Sequence, residues 1–171
     1  MSKTWLLFAA VAFVSAATHA QTANNGTYGE IAFTTAKYSG QSISGSWSPT
    51  AMRGILGQGI HEYAAVEGML LFGVSDSTNL GVALKMTSGA GIYLKPRAKI
   101  GEAFEVFARL GWANINTTVG ASDARDNGTS YGAGASYSFS KTTSLNLDYM
   151  VYNEANNSKI DGVSFGLGYK F

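Results

Sequence analysis

The chain is 171 residues long, with a formal net charge of +1, no cysteine and 13% charged residues. The charge and the missing cysteine exclude a basic nucleic-acid surface, a disulfide framework and a thiolate metal centre. The charged share is about half that of an ordinary soluble domain, and 21 glycines against two prolines point to strands rather than to disorder.

Residues 1–20 read as a secretory signal peptide. Lys3 gives a positive start, and residues 5–14 form an apolar run too short to span as a helix. Ser15, Ala16, Ala17, Thr18 and Ala20 then supply the small residues of a cleavage site. Cleavage is expected after Ala20, with Ala17 as the alternative, leaving residues 21–171 as a single domain. No later segment reaches the ~18 apolar residues of a membrane helix.

Beyond that point the apolar residues alternate at period two, the signal of strands with two unlike faces. Residues 27–38 set Gly29, Ile31, Phe33 and Thr35 against Tyr28, Glu30, Ala32 and Thr34. Residues 39–49 are rich in Ser and Gly and read as a loop. Residues 50–58 put Met52, Gly54 and Leu56 outward and Arg53 inward. A tight turn is expected at 59–62. Residues 63–74 put Ala64, Val66, Gly68, Leu70 and Phe72 outward and Glu67 inward. Residues 75–89 form a longer polar connection, although 80–86 can extend a strand.

Residues 90–99 alternate Ile92, Leu94 and Ala98 with Tyr93, Lys95, Arg97 and Lys99. Pro96 cannot donate to a ladder, and a closed barrel has no free edge, so a bulge or shortened pairing is expected there. A second turn falls at 100–103. Residues 104–115 set Phe104, Val106, Ala108, Leu110 and Trp112 outward, with Glu105, Phe107, Arg109, Gly111 and Ala113 inward. A polar loop follows at 116–128. In residues 129–139, Tyr131, Ala133, Ala135, Tyr137 and Phe139 face out over glycines and serines. After a third turn at 140–143, residues 144–153 set Leu145, Leu147, Tyr149 and Val151 outward, with Asn146 and Asp148 inward.

A loop at 154–160 leads to the last strand, where Val163, Phe165, Leu167, Tyr169 and Phe171 share one face and Ser164, Gly166, Gly168 and Lys170 the other. A wholly apolar face opposite a small or polar one suits lipid outside and a crowded lumen inside. The rival for this stretch alone is the last strand of a soluble sandwich or lipocalin-like barrel. Eight strands joined by alternating long and short connections fit an all-β, eight-stranded antiparallel transmembrane up-and-down β-barrel. Both termini are then expected in the periplasm, with loops outside near 39–49, 75–89, 116–128 and 154–160.

Residues 102–115, 131–152 and 162–171 resemble the small eight-stranded outer-membrane barrels of the OmpA/OmpX type, and the likeness spans the mature chain. It implies export to a bacterial outer membrane and contact with outer-membrane lipid and lipopolysaccharide. It also implies that a terminal aromatic strand, here Tyr169 and Phe171, is read by the barrel assembly machinery.

The inward face carries Glu30, Arg53, Glu67, Lys95, Arg97, Glu105, Arg109, Asp148 and Lys170, with Lys99 beside them. Eight strands leave an interior roughly wide enough for side chains alone, and an unpaired buried charge is costly. These charges are therefore expected to pair into a plug. The inward glycines Gly111, Gly132, Gly134, Gly166 and Gly168 leave room and keep a gateable channel as the alternative.

Tyr28, Tyr38, Tyr63, Trp112, Tyr131, Tyr152, Tyr169 and Phe171 are candidates for interfacial girdles, with Tyr63 and Tyr152 expected inward. Catalytic constellations are nearly absent: the one mature histidine, His61, sits in a turn beside Glu62, on the wrong side for lipid A chemistry. Asp123 and Asp126 are weak calcium candidates. The expected role is structural or surface-binding through the outer loops, as a monomer with no cofactor and no nucleic acid, the ligand being lipopolysaccharide or a host or cell-surface molecule. A narrow porin-like channel for small solutes is the second reading and a lipid-A-modifying enzyme the third.

Overall fold

The structure, a computed structural model, describes residues 26–40, 47–79, 82–119, 122–155 and 158–171. The expected signal peptide and its cleavage site lie outside the described residues. The elements in chain order are β1 (Thr27–Gly40), β2 (Thr50–His61), β3 (Ala64–Ser75), the three-residue β4 (Ser77–Asn79), β5 (Val82–Ile100), β6 (Phe104–Val119), β7 (Ser122–Ser138), β8 (Thr143–Ala155) and β9 (Ser158–Lys170). Every pairing is antiparallel. The order β3-β2-β1-β9-β8-β7-β6-β5 closes on itself through β3–β5, running from Ala64↔Pro96 to Phe72↔Ser88. Eight long strands thus form a closed barrel, and β4 is a short annex paired to the start of β5 through Ser77↔Leu84. The first and last strands meet along their whole length, from Tyr28↔Lys170 to Gly40↔Ser158, so the barrel has no free edge.

Period-two alternation sorts the side chains. Ile31 and Phe33 on β1, Leu110 and Trp112 on β6, and Phe165 and Leu167 on β9 are all more than half exposed. A continuous apolar exterior of this kind is a liability in water but suits a hydrocarbon surround. The tight turns lie at one end of the barrel, here the turn end, together with Thr27 and Phe171, whose backbone N–H donates to the Thr27 carbonyl at 3.0 Å. Gly101 closes the β5–β6 turn at φ 70°, a left-handed conformation that glycine adopts without strain. At the β7–β8 turn, the Thr143 N–H donates to Ser140 Oγ at 2.9 Å.

Several expectations give way to longer or interrupted strands. The expected loop over 116–128 is largely a ladder extension, with β6 and β7 paired from Phe104↔Tyr137 to Val119↔Ser122. β5 already starts at Val82, so most of the connection expected at 75–89 is strand. The β-branched Thr78, Val82, Thr87, Thr117, Thr118 and Val119 help to sustain pairing beyond the apolar band. The β2–β3 turn also sits later than expected, because β2 runs to His61.

At Pro96 the shortened pairing, one of the two expectations, is found without a bulge. Pairing of β5 with β6 skips from Leu94↔Leu110 to Arg97↔Phe107 in unchanged register, and Arg97 N–H donates instead to the Tyr63 carbonyl at 2.9 Å. Val151, expected to face lipid, is buried: β8 carries a register shift between Val151 and Asn153, which breaks the alternation and buries Val151, Tyr152 and Asn153 in succession. Tyr63, expected inward, is exposed in its turn against His61, with ring centroids 5.6 Å apart. Tyr28 is no girdle residue, since it is buried in the lumen, whereas Tyr152 is buried there as expected.

Candidate functional site: the charged lumen

Five inward strand positions bring ionisable side chains to one level of the barrel: Glu30 on β1, Arg53 on β2, Glu67 on β3, Arg109 on β6 and Asp148 on β8. All five are at most 3% exposed. Arg109 lies at the centre. Its Nε donates to Glu67 Oε2 at 2.6 Å, its Nη1 to Asp148 Oδ2 at 2.7 Å and its Nη2 to Glu30 Oε2 at 2.8 Å. Arg53 bridges two of the same carboxylates, Nη2 to Glu30 Oε1 at 2.7 Å and Nη1 to Asp148 Oδ1 at 2.8 Å. Planar guanidinium forks allow one cation to serve several carboxylates at once. Arg53 Nε alone in this group finds no acceptor among the described residues.

Towards the turn end, Lys95 Nζ sits 3.5 Å from both Glu67 and Glu105. It also lies over the rings of Phe107, at 4.2 Å, and Tyr28, at 4.9 Å. Tyr28 Oη donates to Glu67 Oε1 at 2.5 Å. Arg97 is peripheral: its Nη1 is 3.9 Å from Glu105, and it otherwise donates to the carbonyls of Glu62 and His61. Lys170 does not join the network. It is exposed at the turn end, with no ion pair among the described residues. The inner group balances, three carboxylates (Glu30, Glu67, Asp148) against three cations (Arg53, Arg109, Lys95). Such balance is what permits burial, because each unpaired charge there costs several kcal/mol.

Above this ring, towards the loop end, lies a feature that the sequence reading missed. Ile55, Met69, Leu71, Met86, Ile115, Met150, Tyr152 and Ile160 form an apolar cluster inside the barrel. Tyr93 caps it with polar contacts, its Oη donating to Ser130 Oγ at 3.0 Å. The available signal was the unbroken apolar run at 69–72, in which the inward Met69 and Leu71 are as apolar as their outward neighbours.

The inward glycines, expected to leave room, instead admit neighbours. A Cβ on Gly134 would lie 2.6 Å from the Asp148 Cβ and 2.7 Å from the Phe107 ring, and at Gly57, a further inward glycine, it would lie 2.2 Å from the Tyr28 Cζ. These positions are close approaches rather than voids.

Of the other candidates, Tyr169 and Phe171 are exposed on the outer face with ring centroids 5.5 Å apart. His61 lies in the exposed turn, its Nδ1 accepting from the Tyr63 N–H at 3.3 Å. No group of three potential metal ligands occurs among the described residues. Asp126 stands on the β7 extension opposite Ile115, and Asp123 pairs by backbone with Thr118.

No curated protein matches the sequence. Among solved structures, the barrel superimposes on Neisserial surface protein A with a TM-score of 0.69 at 18% identity, covering 85% of this chain and 97% of that one. For Ail, the attachment invasion locus protein of Yersinia pestis, the score is 0.67 at 12% identity, covering 87% and 100%. For the N-terminal β-barrel domain of Pseudomonas aeruginosa OprF it is 0.57 at 14% identity, covering 86% and 99%. At these identities the likeness is one of fold. The family model described as an outer membrane protein beta-barrel domain matches residues 6–171. With a closed eight-stranded barrel, an apolar exterior and a match over nearly its whole length, the chain belongs to this family of small outer-membrane β-barrels.

Proposed function

We propose that this barrel is closed to solutes and acts at its loop end, in a structural or surface-binding role. The observation that carries the reading is the two-storey filling of the lumen, a ring around Arg109 that Lys95 makes neutral, beneath an apolar cluster around Leu71 and Met150. An ion entering would have to break charge-assisted pairs and then cross an apolar layer, both costly steps. With transport set aside, the loop end is the surface left for function. In this reading the turn end and both termini face the periplasm, and the loop end meets lipopolysaccharide or a molecule on another cell. No catalytic role is assigned: His61 stands apart from any nucleophile–acid pair among the described residues.

A form of the neighbour Ail is described in complex with the heparin analogue sucrose octasulfate. Two of the described loop-end cations, Lys85 and Lys159, stand near Asp76 and Asp161, at 3.8 and 4.0 Å, while Lys37 and Arg125 carry no ion pair among the described residues. Tyr169 and Phe171 are proposed as the assembly signal. Proteoliposome swelling in small sugars tests the closed lumen. Rates equal to those of protein-free vesicles are expected, and faster swelling by the folded protein would favour the narrow-channel reading.

A further inference from the structure

At the turn end the lumen widens into a cavity of about 270 Å³ beneath the charged ring. Its lining holds five cations and three carboxylates. One of those carboxylates, Glu30, is already held by Arg53 and Arg109. Lys95, Arg97 and Lys99 project from alternate positions of β5, and Lys170 projects from β9. These strands lie on opposite sides of the eight-membered ring, since β3, β2 and β1 separate them one way and β6, β7 and β8 the other.

Lys170 lines this cavity together with Lys99, Arg97 and Lys95, and with Glu102 and Glu105. Glu105 is itself shared by Lys95 and Arg97. Neither Lys99 nor Lys170 forms an ion pair among the described residues. The β7–β8 wall adds hydroxyl and amide groups from Ser136, Ser144 and Asn146. Like charges facing one another in a partly enclosed space are unfavourable unless something negative lies between them.

We infer that this turn-end vestibule binds a phosphate-class oxyanion between Lys99 and Lys170, with the β7–β8 hydroxyls completing its hydrogen bonds. Several acceptor oxygens on one small anion match ammonium groups on two sides and hydroxyl donors on a third. The anion is either free phosphate chemistry from solution or the headgroup of an adjacent anionic phospholipid. The inference does not rest on the closed-lumen reading, because the vestibule lies below the ring.

The test uses the protein extracted from the outer membrane and reconstituted in phosphatidylcholine nanodiscs, where both barrel ends are accessible. Equilibrium dialysis with inorganic pyrophosphate at constant ionic strength should give saturable binding of one anion per barrel. The K99Q/K170Q variant, its folding checked by the heat-dependent gel shift, should bind about tenfold more weakly or worse, as loss of a charge-assisted contact implies. If a lipid headgroup is the natural occupant, discs containing phosphatidylglycerol will suppress pyrophosphate binding to the wild type. If a free anion is, the two disc types will bind alike. Either result supports the site and identifies the source. Absence of saturable binding in phosphatidylcholine discs, or equal binding by wild type and K99Q/K170Q, overturns it.

Discussion

Removing the central cation is the sharpest perturbation of the lumen. Arg109→Met keeps the unbranched stem as far as the Nε position but deletes the guanidinium and its contacts of 2.6 Å to Glu67, 2.7 Å to Asp148 and 2.8 Å to Glu30. Three buried carboxylates would then face only Arg53 and Lys95. Breaking a buried ion pair by removing one partner costs about 3–5 kcal/mol. A simple sum of three charge-assisted bonds at roughly 1.5–3 kcal/mol each would exceed this, and partial rehydration of the ring favours the lower figure. Urea unfolding in lipid vesicles, followed by tryptophan fluorescence and the gel shift, measures the loss.

The second variant isolates charge balance from packing. In R109M/E30Q, Glu67 keeps Lys95 and Asp148 keeps Arg53, as their distances of 3.5 and 2.8 Å allow. It should recover at least half of the stability lost in R109M. A loss below about 1 kcal/mol in R109M, or no recovery in the double variant, would refute the argument that pairing in the ring holds the lumen together.

Other expectations follow from particular side chains. Leu71→Ala removes a fully buried group from the apolar storey and should cost about 2–4 kcal/mol in the same unfolding assay. Gly57→Val would drive a side chain into the Tyr28 ring and so break its bond to Glu67. A destabilisation of about 1–3 kcal/mol is expected, of the size seen for overpacked cores. Phe165→Arg, on the lipid-exposed face, should lose about 2–4 kcal/mol in vesicles, as a cation near the bilayer midplane does. Phe171→Ala should lower the amount of barrel in the outer membrane of cells if this exposed residue, 77% accessible and edge-on to Tyr169, is the assembly signal. Its refolded stability in vesicles should stay within about 0.5 kcal/mol of wild type, as for an exposed substitution.

The barrel was legible because lipid and lumen impose opposite demands on alternate residues. β6 and β9 state this most plainly, Phe104 to Trp112 and Val163 to Phe171, with Phe107 on the lumen face and the exposed Lys170 as the departures. The ring charges were legible for the same reason: a charged residue on the polar phase of an apolar strand has nowhere else to point. Three things were hidden by physics that period two does not encode. The shift at Val151 is a property of the β8–β9 pair rather than of β8, so no reading of one strand alone reveals it. The apolar storey occupies inward positions where a polar lumen was assumed, and Met69, Ile115 and Met150 look like ordinary strand residues in isolation. The glycines read as space because a missing side chain was counted without its neighbours, whereas at Gly134 the Asp148 Cβ and the Phe107 ring lie 2.6 and 2.7 Å from where a Cβ would be. Lys170 shares the polar phase of β9, but as the last residue of the strand it lies outside the ring and at the cavity mouth.

Single-channel recording in a planar bilayer tests the closed lumen most directly, using the protein in its folded, heat-modifiable form. The account predicts no discrete openings from the wild type. Reproducible openings would contradict it, by showing that the ring of Arg53, Arg109, Glu30, Glu67 and Asp148 parts readily enough to pass ions.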